Sequence, residues 1–504
     1  MNVLVATATG MAFGLAALRW LRVSQREHYI VGWCTRFAAR WWTSRWENVV
    51  GGIAAVVSAV AAMARPPAGF VTAALAAAGP IGLGLRGRTS PLRWTPRLYR
   101  LASMTAIVYA ACTLVGFVAG VGPRAAVVAA LLAPILVDVA AALDRPLERR
   151  LSEGFVRRAR DRLRTVAPTV VAITGSYGKT TTKQYVRHIL SGARSVVASP
   201  ASFNNRLGLA RAINDHLTPG TDVFVAEMGA YGEDEIAALT EWIRPDVSVI
   251  TAVGPMHLER FGSVEAIARA KAEIVDGARA VVINADSPLI HRAVGSLHRD
   301  VRVVRCSLED PKADVYVRTS DGALVVQAGG EPLAEVEGDL FAMNVACAVG
   351  VALELDVPRE VIARRLAGLP SPGHRRQVAQ SPRGVTVIDD TYNANPTGAA
   401  AALDLLARAA RDGGRRVVVT PGMVELGREQ AAHNRAFAER AARTATDVVV
   451  VGRTNRRALV AGSTGGPARV EVLNTRDQAV EWIRKNLGSG DAVLYENDLP
   501  DHYP

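Results

Sequence analysis

Paired cysteines are absent. The four in this 504-residue chain, Cys34, Cys112, Cys306 and Cys347, stand far apart. That excludes a zinc site built on close pairs and a disulfide framework, and points to reduced, cytoplasm-facing chemistry. There is no internal repeat and no long low-complexity tract, so 504 residues are expected to divide into two or three units. The apolar stretches of the first 143 residues lack a charged face. The first also lacks a basic lead and a small-residue cleavage site, which makes it a retained span and not a signal peptide. Hydrophobic residues make up 49 % and the formal charge is +12. Because the arginines cluster beside the apolar runs, the charge reads as membrane topology with the lipid bilayer as partner, and no nucleic acid is expected.

Five spans are predicted, over residues 3–21, 49–63, 69–85, 101–121 and 125–143. Two are short against the roughly 20 residues of a crossing helix, so one hairpin is expected to be shallow. Arg22, Arg26, Arg36, Arg40 and Arg45 follow the first span, and Arg86, Arg88, Arg93, Arg97 and Arg100 lie between the third and fourth. The other turns carry only Arg65 and Arg124. With positive charge held inside, the N-terminus is outside and the C-terminal catalytic region is cytoplasmic, giving a multi-pass protein of the inner (plasma) membrane. Asp138 in the last span is a functional candidate, or a solvated group near the inner face. Residues 147–169 read as a basic juxtamembrane linker, either a helix along the headgroups or a solvated connection.

The stretch 170–182 organises the rest. Apolar residues run into Gly175 and Gly178, after which Lys179, Thr180 and Thr181 open a helix. Glycines let backbone N–H groups approach anionic oxygens, the helix start adds its positive end, and Lys179 adds a point charge. Thr180 stands where such loops place a hydroxyl on Mg²⁺. The bland reading is a glycine-rich strand-to-helix turn, but strand, turn and helix all fit a phosphate cradle. Strands are expected at 222–227, 247–252 and 280–284, with a helix over 263–276 and a small antiparallel flap at 314–327. Helices at 341–355 and 359–368 and a hinge at 369–373 close this unit. A second alternation follows, with strands at 385–388, 417–420, 447–451 and 492–495. The fold class is therefore an α-helical membrane region (1–146), the linker, and two α/β domains (170–369 and 370–504) with ligands at strand C-terminal ends. Glu227 ends a buried-type strand beside the loop, where a carboxylate can hold Mg²⁺. His257 taken alone is more often structural than ligating, and Lys271 taken alone is a solvated helix lysine.

Together these segments resemble the Mur ligases, the ATP-dependent amide-forming enzymes of peptidoglycan synthesis, from about residue 170 to 490. The resemblance rests on 174–181, 202–208, 225–229, 257–262, 270–274 and 343–349, in that order. Segments 387–396 and 421–427 are similar to the subfamily that adds D-Ala-D-Ala to a muramoyl tripeptide. It implies a central P-loop ATPase domain and a Rossmann-like C-terminal domain. ATP would lie on Thr174, Gly175, Ser176, Tyr177, Gly178, Lys179, Thr180 and Thr181, with Asn344 on the adenine side. Arg375 and Asp390 would reach the nucleotide on domain closure. Lys179, His257 and Lys271 would be catalytic. Thr180 and Glu227 would hold one Mg²⁺ and His257 a second, with Lys271 carbamylated from CO₂ or bicarbonate to position the metals. Asn204, Asn205, Tyr392, Asn393 and Asn395 would face substrate.

Two departures from the family stand out: membrane helices replace its UDP-sugar domain, and 495–500 replaces its Lys-Gly-Ser. The implied activity is a membrane-anchored, ADP-forming ligase that joins a small-molecule amine, an amino acid or dipeptide, to a carboxylate delivered at the membrane, in cell-envelope precursor synthesis. The alternatives are a poly-γ-glutamate-like poly-amino-acid synthetase, a D-Ala-D-Ala-adding peptidoglycan ligase and, from another class, a membrane transport ATPase.

Overall fold

The computed structural model describes residues 2–85, 91–201, 203–297, 301–338, 340–370, 377–391, 395–411, 413–500 and 502–504. Seven helices come first: α1 (Asn2–Arg26), α2 (Trp33–Thr43), α3 (Trp46–Ala64), α4 (Gly69–Ala78), α5 (Pro96–Val118), α6 (Pro123–Leu131) and α7 (Ala133–Val166). By length and composition, α1, α3 and α5 could each cross a membrane, and α6 with α7 would make a fourth span bent by 85°. The other two expected spans are shorter or broken for a local reason. After α4 comes Gly79-Pro80, and α7 opens on Ala133-Pro134; proline cannot donate the N–H that would carry the preceding helix onward. Helix α1 packs against α4, α6 and α7. Outside this cluster α3 turns Val50, Ile53, Val57 and Val60 outward, and α5 does the same with Ile107, Leu114, Val115 and Val118. Contiguous apolar rows of this kind need a cover other than water.

Asp138 is a cap. Its carboxylate accepts from the backbone N–H groups of Cys34 at 3.3 Å and Thr35 at 2.9 Å and from the Thr35 hydroxyl at 2.6 Å. A charge on α7 thus satisfies the orphan amides and positive end of α2. Beyond the apolar part, α7 runs on through the stretch expected as a linker. It buries Val156, Ala159 and Leu163 among Leu209, Ile213 and Phe224 of the next domain, so the connection is a packed strut.

The central domain carries β1 (Thr169–Thr174), β2 (Val196–Ala198), β3 (Val223–Glu227), β4 (Val247–Ile250), β5 (Ala280–Asn284), β6 (Arg302–Ser307), β7 (Val315–Ser320), β8 (Ala323–Ala328) and β9 (Glu331–Glu337). Their order is β2-β3-β1-β4-β5-β6-β7-β8-β9, parallel as far as β7 and antiparallel after it. The antiparallel flap expected near 314–327 is therefore the far edge of the main sheet. Strands β1, β3 and β4 are apolar and buried on both faces, as a helix-covered parallel sheet requires. Because β1 sits between β3 and β4, the loop after β1 opens beside the ends of both neighbours. Helices Lys179–Leu190 and Ala342–Glu354 cover one face, and Arg206–His216 covers the other.

The last domain is a six-stranded sheet of β10 (Gln377–Gln380), β11 (Thr386–Asp390), β12 (Arg416–Thr420), β13 (Asp447–Val451), β14 (Arg469–Leu473) and β15 (Ala492–Glu496) in the order β10-β11-β15-β12-β13-β14. Only β10 runs antiparallel. Strand β14, alternating and half-exposed, carries no apolar run and escaped the sequence pattern.

Candidate active site

The phosphate loop has the backbone its spacing implies. Gly175 adopts φ 152°, and a Cβ there would lie 2.1 Å from Thr251 Oγ1; Gly178 adopts φ 81°, and its Cβ would lie 2.6 Å from Asn344 Oδ1. Only glycine fits either position. Thr174 closes β1 by donating to the Met228 carbonyl at 2.9 Å, and Ser176 donates its backbone N–H to Ala252 at 2.7 Å. Burial pushes the Tyr177 phenol well above its usual range, and its ring packs where a side chain on Gly254 would stand. Lys179 folds back, donating to the Gly175 carbonyl at 2.7 Å. Thr181 is buried under the loop. The structure thus sets Asn344 against the loop itself.

Glu227, 1 % exposed, gathers the next group. Its Oε2 accepts from Thr180 Oγ1 at 3.0 Å and Lys183 Nζ at 2.9 Å, and its Oε1 from Asn204 Nδ2 at 3.2 Å. Lys183 was not expected. Its signal is composition: the chain has only five lysines, Lys179, Lys183, Lys271, Lys312 and Lys485. The Thr180 hydroxyl and the Glu227 carboxylate are hard oxygen donors of the kind Mg²⁺ takes, with one or two carboxylates and the rest from phosphate and water. That fits the absence, among the described residues, of any cluster of three or more His, Cys, Asp or Glu side chains suited to a metal.

Lys271 is 3 % exposed, and its Nζ lies 5.8 Å from the Phe261 ring centre. Burial, followed by repulsion from Lys179, lowers its pKa to about 7 against the pull of Glu235 and Glu273. His257 is hydrogen-bonded through Nδ1 to Glu425 of the last domain. Burial tends to raise the Glu425 carboxyl, but the bond and charge of His257, with Arg260 and His502, outweigh it and bring the pKa to about 2. Asp390 lies deep, at the end of β11 opposite Glu496 on β15, and burial and Asp390 hold Glu496 well above the carboxylate range. Asn395 caps helix Pro396–Ala409 through the Gly398 N–H at 2.9 Å, and Asn205 caps Arg206–His216 through the Gly208 N–H at 2.9 Å. Arg375, Tyr392 and Asn393 lie outside the described residues.

A cavity of about 420 Å³ joins these parts. Gly175–Thr180, Asn204, Asn205, Glu227, His257, Lys271 and Asn395 line it, whereas Thr174, Thr181, Asn344 and Asp390 stand behind. Its far wall was not foreseen. It comes from Arg26, Glu27 and His28 after α1, and from His502 and Tyr503 at the end of the chain. Glu27, 4 % exposed, accepts from Arg260 Nη2 at 2.7 Å and pairs with His502 Nε2 at 2.9 Å. Trp41 Nε1 donates to the His502 carbonyl at 2.8 Å, and the Tyr503 ring sits edge-on to Phe37 at 5.0 Å. The N-terminal helices, the central domain and the last domain meet at one site.

A phosphate loop at the end of a parallel strand, a magnesium-type carboxylate on its neighbour and a buried lysine lining the same cavity define an ATP-using enzyme assembled across domains. The chain matches the Mur ligase middle domain over residues 173–352 and the Mur ligase, glutamate ligase domain over 374–495. It belongs to the Mur ligase family, the ATP-dependent, ADP-forming makers of C–N bonds; with that, the transport-ATPase alternative falls away. It is similar to the UDP-N-acetylmuramoyl-tripeptide--D-alanyl-D-alanine ligase of Mycobacterium tuberculosis (strain CDC 1551 / Oshkosh), 37 % identical over 342 residues, covering 65 % of this chain and 67 % of that one. The enzyme of that name from Bacillus subtilis (strain 168) is 26 % identical over 349 residues, 66 % of this chain and 74 % of its own. Among solved structures, the MurF ligase from Thermotoga maritima in complex with ADP superposes with a TM-score of 0.60 at 26 % identity, over 69 % of this chain and 80 % of that one.

Proposed function

We propose that this chain is a membrane-anchored ligase that joins a dipeptide amine, of the D-alanyl-D-alanine type, to the terminal carboxylate of a muramoyl tripeptide on the cytoplasmic face. The observation that carries the reading is the meeting of Lys179, Thr180, Glu227 and Lys271 in one cavity of a chain 37 % identical to a ligase of that name. In the first step a substrate carboxylate oxygen attacks the γ-phosphorus of ATP and the bond to ADP breaks, leaving an acyl phosphate. In the second the amine attacks the acyl carbon, phosphate leaves with the acid's oxygen, and the amine loses a proton. Lys179 and the loop amides hold the charge that moves over the γ-phosphoryl group. Thr180 and Glu227 would hold Mg²⁺, which supplies further neutralisation of phosphate charge.

Lys271 has the burial and the lowered pKa that leave a neutral amine near pH 7, able to take up CO₂ as a carbamate. That modification adds CO₂ to the neutral amine and releases a proton, leaving an anion beside Lys179, and it is the part of the reading that rests on this one side chain. Three helices long and apolar enough to cross, with basic residues after the first, support anchoring in the membrane. A poly-amino-acid synthetase would use the same ATP chemistry with a different acceptor.

The test is isotopic. Membranes holding the protein receive ATP, D-alanyl-D-alanine and muramoyl tripeptide labelled with ¹⁸O in its terminal carboxylate. One labelled oxygen should appear in each phosphate released. Unlabelled phosphate with amide product would exclude the acyl phosphate, and glutamate polymer with no muramoyl product would assign the alternative.

A further inference from the structure

Helix α1 has 25 residues; at about 1.5 Å each this is roughly 37 Å, enough to cross a hydrocarbon core of about 30 Å and bring its last residue to the headgroups. That last residue is Arg26, and with His28 it lines the same cavity as Lys179 and Glu227. The ligase cavity therefore opens at the membrane end of the first span.

The three loop residues divide the work. Glu27 is buried and taken up by Arg260 and His502, which fixes the loop against both soluble domains. Arg26 is exposed and makes no hydrogen bond or ion pair among the described residues. His28 is also exposed; its Nε2 meets the Tyr231 hydroxyl at 3.1 Å and its ring stacks on that tyrosine at 5.0 Å. A guanidinium without a carboxylate, beside an imidazole held by one neighbour, is a receptor for an oxyanion with several oxygens. The reacting carboxylate must lie next to the phosphate loop, against residues of the central domain. A substrate that also used the Arg26 and His28 side chains would be an acid that carries a phosphate group.

We propose that Arg26 and His28 form the subsite for the diphosphate that links the muramoyl tripeptide to its carrier. This rests on the muramoyl reading above. The carrier is either a nucleotide or a polyprenol in the bilayer, since both present the same diphosphate.

The test uses the full chain in vesicles, with the tripeptide supplied either as its soluble UDP conjugate or as a polyprenyl-diphosphate conjugate in the same lipid. ADP release gives KM in each arm for wild type, Arg26→Ala, His28→Ala and Arg26→Lys. Arg26→Ala should raise KM for the diphosphate-linked substrate at least about tenfold and His28→Ala several-fold, as loss of a charged hydrogen bond does. KM for ATP and the binding of ADP should not move, which also certifies folding. Arg26→Lys should recover part of the loss. The arm that turns over identifies the carrier. Turnover with KM unchanged in both alanine variants would overturn the subsite while leaving the ligase reading intact. A wild type idle in both arms would overturn the muramoyl reading, and the subsite with it.

Discussion

The phosphate side and the helix-bundle side of the cavity are built in opposite ways. On the phosphate side, residues 174–180 are consecutive, and Glu227 stands at the end of the adjacent parallel strand. On the helix-bundle side, Glu27 and His502 are 475 positions apart, and Arg260 lies 233 positions from Glu27. The first side is set by local geometry, a strand, two glycines with positive φ and a helix start. The second exists only once three separate units have docked. It follows that damage to the first should abolish chemistry outright, whereas damage to the second should change how the units hold together and which acid enters.

The largest effect is expected at Glu227. Its removal in Glu227→Ala leaves Lys183, which is 5 % exposed, without its partner. An uncompensated buried charge costs about 3–5 kcal/mol, and loss of the magnesium-type carboxylate should lower ADP release by roughly 100-fold or more. Pairing it with Lys183→Met separates the two. The double variant should regain most of the melting temperature in detergent and none of the activity. If activity returned with stability, Glu227 would be a scaffold residue, and the phosphate side would be no different in kind from the helix-bundle side.

Lys271 gives a smaller, pH-dependent effect. Its folded pKa of about 7 lies below the ordinary 10.5. Between those values the unfolded chain holds a proton that the folded chain does not, so stability rises with pH through that window, by about 1.4 kcal/mol per unit, and is flat below it. Lys271→Met should therefore be more stable than wild type at pH 7 in bicarbonate-free buffer. Its advantage should shrink by about 3 kcal/mol on moving to pH 9. A gap that stays constant would mean that the amine is already modified or solvated. Bicarbonate should then speed ADP release by wild type alone if the carbamate forms.

These residues also show what could be read in advance. Gly175, Gly178, Lys179, Thr180 and Glu227 were legible because each sits at a fixed place in a strand–turn–helix unit; strands β1, β3, β4 and β5 around them were expected, whereas the three-residue β2 beside β3 was too short to signal itself. The lysines carry a further signal. In a chain with so much arginine, three of its five lysines lie at the site, where a guanidinium could not lose its proton as Lys271 can. What could not be read is the far wall. Arg26 was read only as part of the positive-inside pattern, and Glu27 and His28 beside it, like His502 and Tyr503 in the tail, carried no expectation. Nothing local marks either one, since each is meaningful only against the other. For the same reason Asp138, a functional candidate in a span, turned out to cap α2 across the bundle.

The smallest effect tests that docking most directly. The Trp41 indole N–H donates to the His502 carbonyl at 2.8 Å, and the tail's Tyr503 is buried among bundle residues including Phe37. Trp41→Phe takes part of a buried ring out of the bundle core, and what the tail itself loses is one donor, worth about 1 kcal/mol. That is too little to unfold the chain but enough to raise the open fraction of the tail about fivefold. Carboxypeptidase trimming should therefore quicken by a similar factor. The KM for the carboxylate substrate should rise modestly, because His502 holds Glu27 and so the loop carrying Arg26, while KM for ATP stays where it was. Faster trimming with both KM values unchanged would make the tail a clasp between domains with no part in the helix-bundle wall of the cavity. Trimming at the wild-type rate would mean that the apolar contacts of Tyr503 hold the tail without the hydrogen bond, and truncation of residues 502–504 would then be needed to open that side of the cavity.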